Sequence, residues 1–343
     1  MIEVINPLNL KDWDEKIVKQ KYYTFFHTSH WSRLISKTYG YTPVFHILKE
    51  NNEIKGILPL MEVNSLITGK RGIGLPFSDF SNPLVKDSVQ FHKLLEYAKE
   101  YGKKSKWKYL EIKGAQDYFP SNTDSYMEYE HLIDFNGNEE KLFYEFDSTT
   151  KRNIRKAINE KVKVYQSQTL ESIRHFYRLN SLTRQRHGLP PQPYSFFKNL
   201  YKIILKNNYG TVFLAEYNKE IIAGAIYLHF GEKAIYKFGA SNMKYQNLRA
   251  NNLVMWEAIK FYNSIGYKEF SFGKTEPDNE GLRRFKKGWG VRENKSYTYR
   301  FDLKGNKFLK FSTQTSGFHN KIFNNLPLSV LELFGSLAYR HFA

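Results

Sequence analysis

The stretch that decides the fold reads TVFLAEY (Thr211–Tyr217), IIAGAIYLHF (Ile221–Phe230) and KAIYKFGA (Lys233–Ala240). Each run is rich in β-branched and aromatic residues. The joints between them, Asn218–Glu220 and Gly231–Glu232, are short and polar, which is hairpin chemistry. Upstream, Leu170–His187 predicts a helix with Ile173, Phe176, Tyr177 and Leu182 near one face, ended by Gly188 ahead of Pro190 and Pro191. Tyr194–Lys206 predicts a second helix. Downstream, a helix over Leu248–Ile265 stops at Gly266, where a left-handed terminal glycine belongs. A strand at Tyr267–Gly273, a short helix at Glu280–Lys287 and a last strand from Ser296 to Leu303 complete the order α-α-β-β-β-α-β-α-β.

The first half repeats this order more faintly. Ser29 caps a helix to Tyr39, with Gly40 after it, and Pro43–Glu50 and Ile54–Val63 form a hairpin about Asn51–Asn52. A Gly/Pro-rich stretch, Gly69–Pro83, precedes a helix at Val89–Lys103 and strands at Lys108–Ile112 and Glu128–Phe135. The two halves share no evident sequence identity. The expected architecture is mixed α/β: a first domain over residues 1–140, a second over 141–303 opened by a basic linker helix at 149–161, and C-terminal helices over 304–343 docking back on the first domain. Leu328–Phe342 is amphipathic, so a membrane surface is the alternative partner for that last helix.

Composition bounds the function. A chain of 343 residues with 25 Tyr and 27 Phe has ample material for two buried cores. Cysteine is absent, which excludes disulfides, thiolate metal sites and a Cys nucleophile. No apolar run is long enough to span a bilayer, and Met1–Lys11 has no signal-peptide pattern, so the expected address is cytoplasmic. The net charge of +18 attracts anions: nucleic acid, anionic headgroups or phosphorylated substrates. No metal-ligand spacing, phosphate-binding Walker loop, Ser-His-Asp order or dinucleotide glycine pattern occurs, so no metal and no permanently bound cofactor is expected. His27 and His30 lack an acidic residue close in sequence and read as structural.

The second-half order resembles that of the GCN5-related acetyltransferase (GNAT) fold, in which two neighbouring central strands splay apart and leave a slot for an acyl donor. Several segments together resemble the FemAB-like branch of that superfamily. They are Phe26-His27-Thr28-Ser29-His30-Trp31 near the start, the loop Gly74-Leu75-Pro76-Phe77-Ser78-Asp79-Phe80-Ser81-Asn82-Pro83-Leu84, and the basic run Lys151-Arg152-Asn153-Ile154-Arg155-Lys156-Ala157. Gly239-Ala240-Ser241, Asn251, Trp256, Gly266-Tyr267 and Phe272-Gly273 follow, and then Leu282, Phe285-Lys286, Gly288 and Gly290. The resemblance implies an acyltransferase or aminoacyltransferase of the EC 2.3 class. Such an enzyme moves a group from aminoacyl-tRNA or acyl-CoA onto an amine of a peptidoglycan or other, lipid-linked, cell-envelope precursor, with tRNA and the inner face of the membrane as further partners. The chain departs from the wall-bridge enzymes in having no room for their long helical arm, which bears on tRNA use. An acyl-CoA-dependent enzyme of polysaccharide metabolism and a non-catalytic basic RNA- or membrane-binding protein are the competing readings.

Acyl transfer to an amine needs a neutral nucleophile, a proton acceptor and a stabiliser for the oxyanion. By the resemblance, Lys286 beside Phe285 is the cation near the reacting carbonyl or a substrate phosphate; its alternative is a plain basic helix face. Asp79, in a Gly- and Pro-flanked loop, is the candidate acid/base, or else caps its own turn. Arg33 and Lys37 suit a substrate diphosphate. Arg184, Arg186, His187 and Tyr194 surround a helix break and, with Tyr236, are candidates for the acceptor groove, although a helix C-terminus alone would favour a charged His187. Lys151, Arg152, Arg155 and Lys156, with Arg249 and Asn251, are the donor or anion candidates; a solvated linker helix is the bland reading of the first four. The stretch Gln246–Asn252 carries no glycine where CoA-dependent enzymes have a Gly-rich turn, which points away from CoA as donor.

Overall fold

Strand alternation and helix caps explain most of the elements seen in the computed structural model, which describes residues 1–51, 53–135, 137–311, 320 and 323–342. The chain forms two units: Met1–Glu128 with Lys295–Gln314 and Ala338–Ala343, and Tyr129–Asn294 with Thr315–Leu337. This division differs from the sequence expectation at both ends. The first boundary falls inside a strand, after Glu128, and of the stretch 304–343 residues 304–314 and 338–343 group with the first unit and 315–337 with the second.

In the first unit, β1 (Ile2–Ile5), α1 (Trp13–Val18) and α2 (Ser29–Tyr39) lead into β2 (Thr42–Pro43), β3 (Phe45–Glu50) and β4 (Glu53–Leu58). There follow β5 (Met61–Ser65), β6 (Gly69–Ile73), α3 (Ser88–Lys104) and β7 (Tyr109–Lys113). The expected strand Ile54–Val63 is two strands, because Pro59 has no N–H to continue a ladder. The cap of α2 is Thr28, whose hydroxyl accepts from the Trp31 amide, while Ser29 donates to Asp14. β1, β3 and β4 make one antiparallel sheet; β2, β5, β6 and β7 are successive neighbours in another, with β6 and β7 parallel.

The second unit holds most of β8 (Tyr126–Asp134), then α4 (Glu139–Glu145), α5 (Ser148–Asn159), β9 (Lys163–Ser167), α6 (Leu170–Arg186) and α7 (Tyr194–Ile203). Next come β10 (Gly210–Tyr217), β11 (Glu220–Phe230), β12 (Lys233–Ser241), α8 (Ala250–Ser264), β13 (Glu269–Thr275) and α9 (Glu280–Lys287). β14 (Arg292–Asp302) begins here and ends in the first unit beside β7, where β15 (Lys307–Phe308) pairs with it; α10 (Leu328–Ala338) closes the chain. The strand order β8-β13-β12-β11-β10-β9 is antiparallel except for β12 and β13, which run parallel. α8 buries residues nearly all round, including Leu253, Trp256, Ile259 and Tyr262, as expected of a central helix. α5 is no solvated linker: Asp147 caps it, accepting from the Thr150 amide, and Ile154 and Ala157 are buried in the core shared with α8.

Candidate functional site

The site of the second unit starts from one backbone fact. β12 and β13 pair only at Lys233–Glu269, Ala234–Phe270 and Ile235–Ser271. Beyond Ile235, β12 runs on to Ser241 and β13 to Thr275 with no pairing to each other. A pair of parallel strands that stops bonding part-way leaves backbone N–H and C=O groups available to an extended ligand. Two local features open this slot. The β11–β12 register shifts between Ile226 and Tyr227, so that Lys237 of β12 is the extra residue of a bulge next to the pair Tyr227–Tyr236. β13 has Gly273 at φ +69°, a left-handed conformation that glycine adopts without strain, within the irregular pairing to β8 between Ser271 and Lys274.

Two small cavities lie in this region. One, of about 210 Å³, is lined by Gly224, Tyr227 and Tyr236 of the sheet, Asn251 and Met255 of α8, and Leu282 and Phe285 of α9. The other, of about 200 Å³, lies at the N-terminal end of α8, with Ser241, Tyr245, Arg249, Asn251, Asn153 of α5 and again Phe285 in its wall. Asn251 and Phe285 therefore belong to both. Asn251 is fixed by donating to Ser241 Oγ at 3.1 Å, and Phe285 packs edge-on to Trp289. Tyr236 stands over Gly239: a Cβ there would lie 1.6 Å from the tyrosine oxygen, so glycine is required for the ring to keep its place. Burial pushes the Tyr236 hydroxyl up to about 12, leaving it a proton donor at neutral pH.

Lys286 projects from α9 and is 2% exposed. Its Nζ donates to the carbonyl oxygens of Gly273 (3.1 Å) and Lys274 (2.9 Å). A buried cation thus ties α9 to the residue at which β13 bends, and its field acts beside the slot. His131 of β8 is fully buried near it; burial first, then the Lys286 charge, push the imidazole down to about 4. The ring is then neutral, so Nε2–H donates to Glu293 Oε2 (3.0 Å), while Nδ1 has no partner among the described residues. Arg283 completes this set: it binds both oxygens of Glu293 and holds that carboxyl down at about 2. On the neighbouring strand position, Glu130 opposes Lys274, and burial, reinforced by Glu269, pushes its carboxyl up to about 7.

The structure thus brings together Phe285, Tyr236, Arg249 and Asn251 around the two cavities, with Lys286 at the adjoining bend. It does not bring in the basic run of α5: Lys151 donates to the Tyr144 carbonyl, Arg155 lies over the Phe143 ring, and Arg152 and Lys156 are exposed. Arg184 donates to the Pro190 carbonyl and Arg186 pairs with His187, away from both cavity linings. The His187 imidazole is pushed down by burial and then by these two arginines, against the helix-end effect expected for it. Tyr194 lines a different groove, with Tyr177. In the first unit, Asp79 is half-buried in a loop with Leu75 and Phe77 at positive φ, and Lys113 holds the loop through Leu75 and Ser78. Two non-glycine residues in that conformation mark stored strain of the kind seen in functional loops. Arg33 and Lys37 are exposed one turn apart on α2. His30 does have an acidic partner, Asp14 at 2.9 Å, which the sequence spacing hid. No group able to hold a metal ion occurs among the described residues.

Sequence reasoning missed Asn153, Glu130 and His131. Arg249 itself takes the left-handed conformation, at φ +58°, and serves as N-cap of α8. The turn that a glycine ordinarily makes at that point is therefore made without one.

With this geometry in hand, comparison with known proteins defines the class. Residues 146–287, within the second unit, match the family model described as an acetyltransferase (GNAT) domain. Among curated relatives, a lipid II:glycine glycyltransferase of Staphylococcus haemolyticus is 23% identical over 223 residues, covering 45% of this chain and 53% of the relative. The chain thus spans about half the length of that relative. Among solved structures, FemX matches with a TM-score of 0.70 at 16% identity, over 87% of this chain and 96% of that one. A tandem GNAT protein from the clavulanic acid pathway matches with a TM-score of 0.55 at 7% identity, over 88% and 98%. At such identities the structural likenesses establish the fold, two GNAT-like mixed α/β units in tandem. Together the family model, the curated relative and the FemX likeness support the FemAB-like branch of the GNAT superfamily for this chain.

Proposed function

We propose that the chain is a FemAB-like transferase that moves an aminoacyl group onto an amine of a peptidoglycan precursor, with the donor's reactive end in the slot between β12 and β13. The observation that carries the reading is the short pairing of those strands, with a cavity at the α8 N-terminus at one end and the buried Lys286 cation at the bend. In this reading the donor's anionic portion lies at the N-terminus of α8, where the helix dipole and Arg249 favour negative charge and no side chain caps the helix. Lys286 acts by its field on the developing oxyanion, Tyr236 donates to the donor carbonyl, and Phe285 excludes water. Within the first unit, taken by itself, Asp79 is proposed as an acid/base and Arg33 and Lys37 as binders of a diphosphate. The named relative's substrate, lipid II, fits the net charge of +18 and supports a lipid-linked acceptor.

Acyl-CoA as donor is the second reading, and one observation favours it: the left-handed Arg249 opens the α8 N-terminus as a glycine would. The donors are separated by filter binding to total tRNA across a salt series, run beside calorimetry with acetyl-CoA. Binding to tRNA that weakens steeply with salt, without CoA heat, is the result expected. Clear CoA binding with feeble tRNA association replaces aminoacyl-tRNA by acyl-CoA.

A further inference from the structure

A second concavity of the second unit lies apart from the acyl slot and shares no lining residue with either cavity there. This groove, of about 710 Å³, runs between α6, α7 and α10 and is lined by Arg174, Tyr177, Tyr194, Lys198, Glu332 and Ser336, among others. Arg174 and Lys198 are exposed cations with no ion pair or hydrogen bond among the described residues. Arg178 and Lys202 repeat them one turn further along the same two helices, also exposed. The acid in the lining, Glu332, is already engaged, accepting from Ser181 Oγ at 2.9 Å. The neutral serine leaves the Glu332 charge in place, so it offsets one of the cations, and with Arg174, Lys198, Arg178 and Lys202 the groove presents aromatic walls and an excess of positive charge.

α10 forms one wall and adds a second property. Leu331 is fully buried, and Gly335 sits against the Pro191 carbonyl, where a Cβ would lie 2.0 Å from the oxygen. Helical spacing turns Val330, Leu333, Phe334 and Leu337 away from that docked side, and they are 45%, 62%, 41% and 64% exposed. Positions i, i+3, i+4 and i+7 make one continuous apolar stripe. Glu332 and Ser336 face the groove, so on the helical wheel the stripe begins next to the groove mouth.

We infer that α10 and this groove are a docking surface for an anionic phospholipid bilayer: Leu333, Phe334 and Leu337 enter the acyl boundary while Arg174 and Lys198 take lipid phosphates. Tyr177 and Tyr194 then sit at headgroup depth, where amphipathic rings are favoured. Charge complementarity selects this occupant. An apolar stripe flanked by free cations on a chain of net charge +18 matches a negative surface with an oily interior. A second copy of the chain would set the same cations against each other across a two-fold axis, which is repulsive. No described helix is long and apolar enough to cross a membrane, so this contact is interfacial. The inference does not depend on which group is transferred.

The test is co-sedimentation of the full chain with vesicles of equal parts phosphatidylcholine and phosphatidylglycerol, beside phosphatidylcholine alone. Wild type binds the mixed vesicles, weakens with salt and ignores the neutral ones. Replacing both cations, Arg174→Ala with Lys198→Ala, weakens binding about 30-fold, from about 1 kcal/mol per basic residue near the surface. Leu333→Glu with Leu337→Glu lowers binding more than about tenfold; both leucines are mostly exposed, so circular dichroism and thermal unfolding match wild type. Three outcomes overturn the inference. They are wild type failing to sediment with the mixed vesicles, both double variants binding as wild type does, and the leucine variant splitting a dimer while vesicles are never bound.

Discussion

Glu130→Gln isolates the most unusual carboxyl in the second unit. Burial, then the nearby Glu269, push Glu130 from 4.5 to about 7, against the opposing pull of Lys274, Arg292 and Asn294. Below pH 4.5 the group is neutral in folded and unfolded chains, and its burial adds no penalty. Above 7 it is charged in both, and the folded chain bears the full desolvation cost. Stability therefore falls as pH rises from 4.5 through 7. One decade of pKa difference corresponds to about 1.4 kcal/mol, so the whole effect is at most about 3 kcal/mol. Glutamine keeps the shape and the neutral hydrogen-bonding pattern of the protonated acid. The variant should match wild type near pH 4.5 and exceed its stability by up to about 3 kcal/mol above neutrality. His131, pushed down to about 4, gives the opposite slope between about 4 and 6.5, but both proteins carry it and it cancels in the difference. Urea titrations of both proteins from about pH 4.5 to about 8.5 read that difference directly. Parallel stability curves for the two proteins across this range would refute the reasoning.

Two other perturbations test the site's construction. Gly239→Ala places a methyl 1.6 Å from the Tyr236 oxygen, so the ring must leave its position. The variant should lose about 1–3 kcal/mol of stability and bind donor more weakly; unchanged donor binding by calorimetry would remove Tyr236 from the site. Arg283→Ala strips Glu293 of its main partner and should raise that carboxyl from about 2 toward the ordinary range. In wild type this group's stabilisation is present above about 4.5 and is lost as pH falls toward 2, whereas in the variant the acid-side loss shrinks. Carboxyl-detected NMR titration would show it, and a Glu293 still titrating near 2 would contradict the assignment of Arg283 as its chief partner.

How much of this was written in the sequence depends on the element. α9 has the bounds predicted for it, because Asn279 caps one end and Gly288 follows the other. β10, β11 and β12 agree to within a residue at each end, since hydrophobic runs bounded by polar turns leave little choice. The failures have physical causes. β9 is an exposed edge strand, Lys163–Ser167, whose weak alternation gives no signal until β10 pairs with it. β6 hides in the sequence Gly-Lys-Arg-Gly-Ile because its central Arg71 is buried by hydrogen bonds to Thr68 and to His341, which lies 270 residues away. Phe285, Tyr236, Arg249 and Asn251, each singled out from the sequence, line the two cavities of the second unit, and their roles there are proposals. The pairing of His131 with Glu293, 162 residues apart, and the left-handed Arg249 have no sequence signature, because tertiary packing creates both.

The central claim is that the second-unit slot transfers a group with Lys286 beside it. The direct measurement gives purified protein radiolabelled aminoacyl-tRNA and a lipid-linked peptidoglycan precursor, and follows label into the precursor, for wild type and Lys286→Met. The account predicts transfer by wild type and a loss of about 100-fold or more in the variant, the usual effect of removing one oxyanion-stabilising group, with the fold retained by circular dichroism. Transfer at the wild-type rate by Lys286→Met would contradict the role given to that cation. No transfer from any aminoacyl-tRNA, with label moving readily from acetyl-CoA, would contradict the aminoacyl reading itself.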